Sequence, residues 1–144
     1  AIFQFFPFDI DRYHLFIIRK KENGMVITEI VNFNKEDSEA EVRVSDGDYS
    51  VECYVYPAEM SVFEKQSNVI DGMCCKNIVK ANRKRYEIKK LSQYYAYHLT
   101  AKVVDKEKRV VCIGKLIINL DADIPKDIVN GDYINFSVLR LDWN

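Results

Sequence analysis

Histidine occurs twice, tryptophan once, proline three times and glycine five times in 144 residues, and the formal charge is only −1. Each scarcity excludes something. There is no Gly-rich phosphate loop, no Ser-His-Asp order and no His-Glu-x-x-His spacing, so no common catalytic motif is present. A near-neutral chain argues against a domain built chiefly to hold nucleic acid, where a strongly basic balance is expected. No segment approaches about 18 uninterrupted apolar residues, the length that a spanning helix needs. The apolar N-terminus Ala-Ile-Phe-Gln-Phe-Phe-Pro-Phe is too short to span and lacks a basic leader region. Cys53, Cys74, Cys75 and Cys112 have neither the density nor the spacing of a disulfide framework. A reducing, cytoplasmic setting is therefore expected.

What is present favours strands. Nine tyrosines and eight phenylalanines bring the aromatic fraction to 12%, and aromatic and β-branched residues suit a half-buried pleated surface. The length fits one β-rich domain over 1–144 with a self-sufficient core. The clearest signal is the alternation over 48–56, entered from 40–44 through Ser45-Asp46-Gly47. A two-residue turn at Asp46-Gly47 would pair Val44 with Tyr49, Val42 with Val51 and Ala40 with Cys53 on an apolar face. Arg43 would then meet Ser50, Glu41 would meet Glu52 and Glu39 would meet Tyr54 on the other face. Period-two sorting around Asp-Gly is a strong hairpin signal.

Elsewhere the pattern varies in clarity. Asn23-Gly24, between the runs 13–19 and 25–33, predicts a second hairpin, but neither a two- nor a three-residue loop sorts its faces cleanly. A strand buried on both sides, or a bulge, would look that way. The stretch 58–91 is the least legible, with helical turns expected over 59–66 and 74–81. A long hairpin is expected around Asp105-Lys106-Glu107-Lys108. It sets Tyr95, Tyr97, Leu99, Ala101 and Val103 against Ile118, Leu116, Gly114, Cys112 and Val110 on one apolar face, with Gly114 a bulge or bend. The last strand, 133–143, changes inward phase from Ile134, Phe136 and Val138 to Leu139, Leu141 and Trp143. A mainly β fold follows: an antiparallel, strongly coiled sheet or a small OB-like barrel with a short helix-compatible insert. The segment 124–142, in which Gly131-Asp132 opens an alternating strand, resembles the closing strand of OB-like barrels.

Candidate chemistry is sparse. His98 lies on the polar face and Cys112 on the apolar face in the expected register, so they cannot form a dyad. Cys74-Cys75 lacks the intervening residues of a zinc or redox motif. Asp121-Ala-Asp123 with Asp127 is interrupted by Ile124, Pro125 and Lys126, unlike a calcium loop, and reads as a solvated turn. No cofactor, metal or catalytic residue is expected.

Charge segregation says more. Glu36, Asp37, Glu39, Glu41, Asp46, Asp48 and Glu52 gather against only Lys35 and Arg43. Such a face either meets a basic partner or serves as a solubilising surface that discourages edge pairing. The opposite sign gathers in Lys76, Lys80, Arg83, Lys84, Arg85, Lys89 and Lys90. That run reads as a solvated basic loop or, with Tyr94 for stacking, as a single-strand nucleic-acid site. In size, charge segregation and lack of catalytic motifs the chain resembles small bacterial toxin-immunity proteins of the contact-dependent growth inhibition type. The resemblance implies a non-enzymatic cytoplasmic inhibitor that occludes a basic, nuclease-like toxin. Glu39, Glu41, Glu52 and Tyr54 would be the contact face, with Asp46 and Asp48 at its tip. The alternative is an OB-like single-strand binder using Lys80, Arg83, Lys84, Arg85, Lys89 and Tyr94.

Overall fold

A computed structural model of the protein describes residues 3–5, 17–19, 24–58, 69–91 and 95–143. Among the described residues there are thirteen strands and no helix. β1 (Phe3–Phe5) and β2 (Ile17–Arg19) form a separate antiparallel pair. The other eleven form one mixed sheet. They are β3 (Val26–Asn34), β4 (Glu39–Ser45), β5 (Ser50–Val55), β6 (Ile70–Met73), β7 (Lys76–Lys80), β8 (Glu87–Lys90), β9 (Tyr97–Asp105), β10 (Val110–Ile113), β11 (Leu116–Leu120), β12 (Tyr133–Val138) and β13 (Arg140–Trp143). Their spatial order is β3-β4-β5-β13-β6-β11-β10-β9-β12-β7, with β8 attached to β9.

The mainly β expectation holds, with two corrections. First, the sheet is mixed rather than antiparallel, because β6 runs parallel to β11 and β13 parallel to β5. Parallel neighbours need a long connection, and β7 to β10 supply it between β6 and β11. Second, the expected helix over 74–81 is the edge strand β7, where Ile78 and Val79 suit an extended chain. The other expected helix, over 59–66, lies outside the described residues.

The Asp-Gly hairpin forms, but its turn centres on Gly47-Asp48, one residue later than expected. Every partner therefore moves by two. Val44 pairs with Val51, Val42 with Cys53, Arg43 with Glu52 and Glu41 with Tyr54. A shift of two leaves each side chain on its own face. Val42, Val51 and Cys53 are buried as expected, with Cys53 only 1% exposed. The expected Glu41–Glu52 like-charge pair does not exist. Asp46 is the reason, since its Oδ1 accepts the backbone N–H groups of Asp48 (2.8 Å) and Tyr49 (2.7 Å). These bonds hold Asp46 outside the two-residue loop.

The second expected hairpin is not a ladder among the described residues. β3 pairs with β4 instead, with register shifts at Ile27/Glu29 and Ile30/Asn32. These bulges account for faces that would not sort. Further along, Gly114 does not bend one long strand; it begins the turn between β10 and β11, where Ile113 pairs with Leu116. Its φ of +59° suits the first central position of a type II′ turn. A bulge at Val110/Val111 puts Val111 and Ile113 in the core, not Val110 and Cys112. Cys112 faces outward instead.

The phase change in the last strand is present and separates β12 from β13. Ile134, Phe136 and Val138 are buried on one side of it, Leu141 and Trp143 on the other. Leu139, expected inside, is 57% exposed, because it is the residue at which the chain changes partners. β12 lies between β9 and β7, whereas β13 lies between β6 and β5.

The sheet coils until β5 and β8 approach each other, but no ladder joins them, so no barrel closes. Side chains bridge this seam. The Tyr97 hydroxyl accepts the Glu52 backbone N–H at 2.9 Å, and the Lys90 ammonium pairs with the Glu52 carboxylate. One core lies within the coil, built from residues such as Ile30, Ile70, Leu99, Ile118 and Phe136.

Candidate functional site

The outer face of β4, β5 and β13 carries the residues expected to meet a partner. Strand alternation sends Glu39, Glu41 and Arg43 outward from β4, Glu52 and Tyr54 from β5, and Arg140 and Asp142 from β13. The Tyr54 hydroxyl donates to the Glu39 carboxylate at 2.8 Å. The Tyr95 ring stands 6.0 Å from that of Tyr54, tilted by 52°. Together Tyr54, Tyr95, Glu39 and Glu41 wall an open notch floored by Ala40 and rimmed by Asn32 and Asn34.

Both phenols stay protonated well beyond neutral pH. Burial, then the Glu39 hydrogen bond, pushes Tyr54 up to about 12. Burial, then Glu41, does the same to Tyr95. Tyr54 is thus a fixed donor to the Glu39 carboxylate, which keeps spare acceptor lone pairs. Behind the notch, Arg140 forms a bidentate pair with Asp142 (2.6 and 2.9 Å). Its guanidinium lies 4.2 Å from the Tyr54 ring centroid, so a cation–π contact holds that ring in place.

The remaining expected contact residues separate from this notch. Glu52 is already committed, since Lys90 pairs with it and Arg43 bridges it to Glu29. Burial acts to raise the Glu52 pKa, but the hydrogen bonds and charges of Lys90 and Arg43 outweigh it and hold the carboxyl below its ordinary value. Asp46 is only 6% exposed, and its Oδ2 accepts the Lys115 backbone N–H at 2.7 Å. It is an internal brace and offers no surface to a partner. Asp48 is exposed at the hairpin tip. Of the six residues expected on the contact face, Glu39, Glu41 and Tyr54 come together.

Tyr95 is the residue that alternation misplaces. Extending the β9 pattern backwards put it in the core, but β9 starts at Tyr97, so the alternation stops short of it. Asn32, Asn34, Arg140 and Asp142 carried no sequence signal for this site, because long-range pairing alone brings them to it.

The basic run divides differently. β7 pairs with β12, and β8 pairs with β9. The connection 81–86 therefore crosses the outer face of β12 and β9 as a strap, with the Ala81 N–H donating to the Tyr133 carbonyl at 2.8 Å. Tyr86 anchors its far end between Tyr49 and Tyr133, at centroid distances of 5.5 and 5.3 Å. A cleft of about 280 Å³ opens beside the strap, lined by Asn82, Arg83, Arg85, Glu87, Thr100 and Asn135 among others. Lys80 pairs with Asp132 at 3.6 Å, whereas Lys84 and Lys89 are exposed. Tyr94 lies outside the described residues.

The Cys112–His98 expectation needs correction as well. Cys112 pairs with Lys102 and so shares the outer face of β9 with His98. The two have different partners: the Cys112 sulfur is 3.8 Å from the Tyr86 hydroxyl, and His98 Nδ1 is 3.3 Å from the Ser137 hydroxyl. Asp121 is a structural acceptor, taking the Cys74 and Cys75 N–H groups at 2.6 and 2.9 Å. Burial raises its pKa, but these bonds win and hold it low. Asp123 pairs with Arg109. Among the described residues no cluster of His, Cys, Asp and Glu suits a metal ion, and no helix is long and apolar enough to cross a membrane.

Comparison of the chain with protein-family models, with curated proteins and with solved structures gave no match.

Proposed function

We propose that the protein acts without catalysis, by binding a basic protein partner on the outer face of β4, β5 and β13. In this reading it is an immunity-type inhibitor that occludes a nuclease-like toxin. The observation that carries the reading is the open notch of Tyr54, Tyr95, Glu39 and Glu41. Tyrosine and arginine anchors on rigid elements dominate protein interfaces, and here Arg140 and Glu39 hold Tyr54 while Tyr95 packs against its ring. A lysine or arginine entering the notch would meet two ring faces and two carboxylates with spare acceptor sites. The contact centre is therefore at Glu39 and Glu41, with Glu36 and Asp37 on the adjoining β3–β4 turn, and not at the Asp46–Asp48 tip.

The test is affinity capture from the native host at low salt, followed by a cleavage assay on the captured protein. We expect a basic nuclease whose activity stops at one-to-one stoichiometry. The double variant Glu39→Lys, Glu41→Lys should fold normally and bind at least about tenfold more weakly, ~1.4 kcal/mol. Equal inhibition by the double variant, or recovery of nucleic acid alone, would overturn the proposal.

A further inference from the structure

We propose that the cleft beside the strap binds a guanine nucleotide. Its floor is formed by Thr100 from β9, Asn135 from β12 and Glu87 from β8, three strands that lie side by side. Thr100 is 2% exposed, and its hydroxyl donates to Asn135 Oδ1 at 2.6 Å. The Glu87 Oε2 is 3.5 Å from the same hydroxyl, so one buried group brings the amide and the carboxylate together. A hydroxyl has one proton to give, and the shorter bond takes it.

That bond fixes how the amide points. Asn135 keeps its oxygen on Thr100 and leaves its NH₂ group for the cleft, where it meets no partner among the described residues. Glu87 forms no ion pair there either, although Arg83 and Arg85 line the same cleft. Neither arginine is committed to a carboxylate among the described residues. The open site therefore presents one amide donor and one carboxylate acceptor at its floor, with two guanidiniums at its rim.

Guanine matches that set. Its N1–H and N2–H can both donate to one carboxylate, and its O6 can accept from an amide NH₂. Adenine offers an acceptor at N1, which a carboxylate repels. The two guanidiniums suit a phosphate, which arginine binds through paired N–H donors. A free guanine nucleotide and a guanylate within a single strand share this chemistry.

The experiment uses the full chain with GMP, AMP, guanosine and a short single-stranded RNA bearing one guanine, measured by calorimetry at low salt. GMP should bind saturably and at least about tenfold more tightly than AMP, the discrimination expected of one good bidentate base contact. Glu87→Gln should erase that preference, since it removes one of the two acceptors. Joint replacement of Arg83 and Arg85 by Ala should bring GMP down to the affinity of guanosine. Both arginines and Glu87 are exposed, so these variants should keep the parent melting curve. Binding of the RNA but not of GMP, with the same Glu87→Gln sensitivity, supports the site and assigns it to a strand. Absence of saturable binding by both ligands, or a guanine preference that survives Glu87→Gln, would overturn it.

Discussion

At the residue scale, Asp46 shows how one side chain decides a register. Its carboxylate accepts two N–H groups of its own turn and reaches Lys115, far along the chain, at 2.7 Å. Asp-Gly announced a turn here, and the turn exists. Which residues occupy its centre depended on where that carboxylate found donors, and alternation does not encode this. Replacing Asp46 with Ala leaves three N–H groups without that acceptor. Hydrogen bonds to charged groups contribute about 1.5–3 kcal/mol each, so Asp46→Ala should lose at least ~2 kcal/mol of stability. Asp46→Asn keeps one oxygen for Asp48 and Tyr49 and should retain roughly half of that. Urea midpoints for the three proteins check the ranking; an Ala variant as stable as the parent would refute the bracing role.

At the element scale, what the sequence made legible was parity. The inward residues of β4 and β5 are legible because a period of two survives a shift of two, and those of β12 because its alternation runs unbroken from Ile134 to Val138. Parity failed where an irregularity of one residue intervenes. The bulge at Val110/Val111 turned Cys112 outward, and the β10–β11 turn at Gly114 was hidden inside what resembled one continuous apolar run. A glycine in a strand pattern marks a bulge, a bend or a close approach, and this one combines a turn with a close approach. A Cβ on Gly114 would stand 2.5 Å from Asp46 Oδ2 and 2.7 Å from a Tyr49 ring carbon, at a φ of +59°. A Cβ on Gly131, at a φ of +94°, would meet nothing within 4 Å. Gly131→Ala should therefore cost only the backbone strain, ~1–2 kcal/mol. Gly114→Ala carries that strain and a clash with the Asp46 brace as well, so its melting temperature should fall further. Equal melting temperatures would mean that β10–β11 and the β4–β5 tip can move apart freely.

At the scale of the whole molecule, the topology was the least legible level. β6, β11, β13 and β5 lie far apart in sequence, and no local pattern announces parallel pairing between them. The notch inherits that illegibility, since Tyr95 and Arg140 reach Tyr54 only through the sheet order. The seam between β5 and β8 is equally non-local, and it gives the fold an acid-sensitive joint. Glu52 has a folded-state pKa held below its ordinary value, 4.5. A depressed carboxyl contributes stability that is present above its unfolded pKa and lost as pH falls through the folded one. Protonation would remove the charge that Lys90 and Arg43 share, and the seam has no ladder to keep it shut. Lowering the pH from neutral to below 4.5 should therefore reduce hydrogen-exchange protection at the seam, measured against the intrinsic amide rate at each pH and led by the Glu52 amide, before the core of β9 and β12 responds. Tyr97→Phe removes the acceptor of that amide and should cost about 1 kcal/mol, with faster Glu52 exchange already at neutral pH. Glu52→Gln should flatten the acid limb of the stability curve. Protection that falls in the seam and the β9–β12 ladder together would show that the joint opens only by global unfolding.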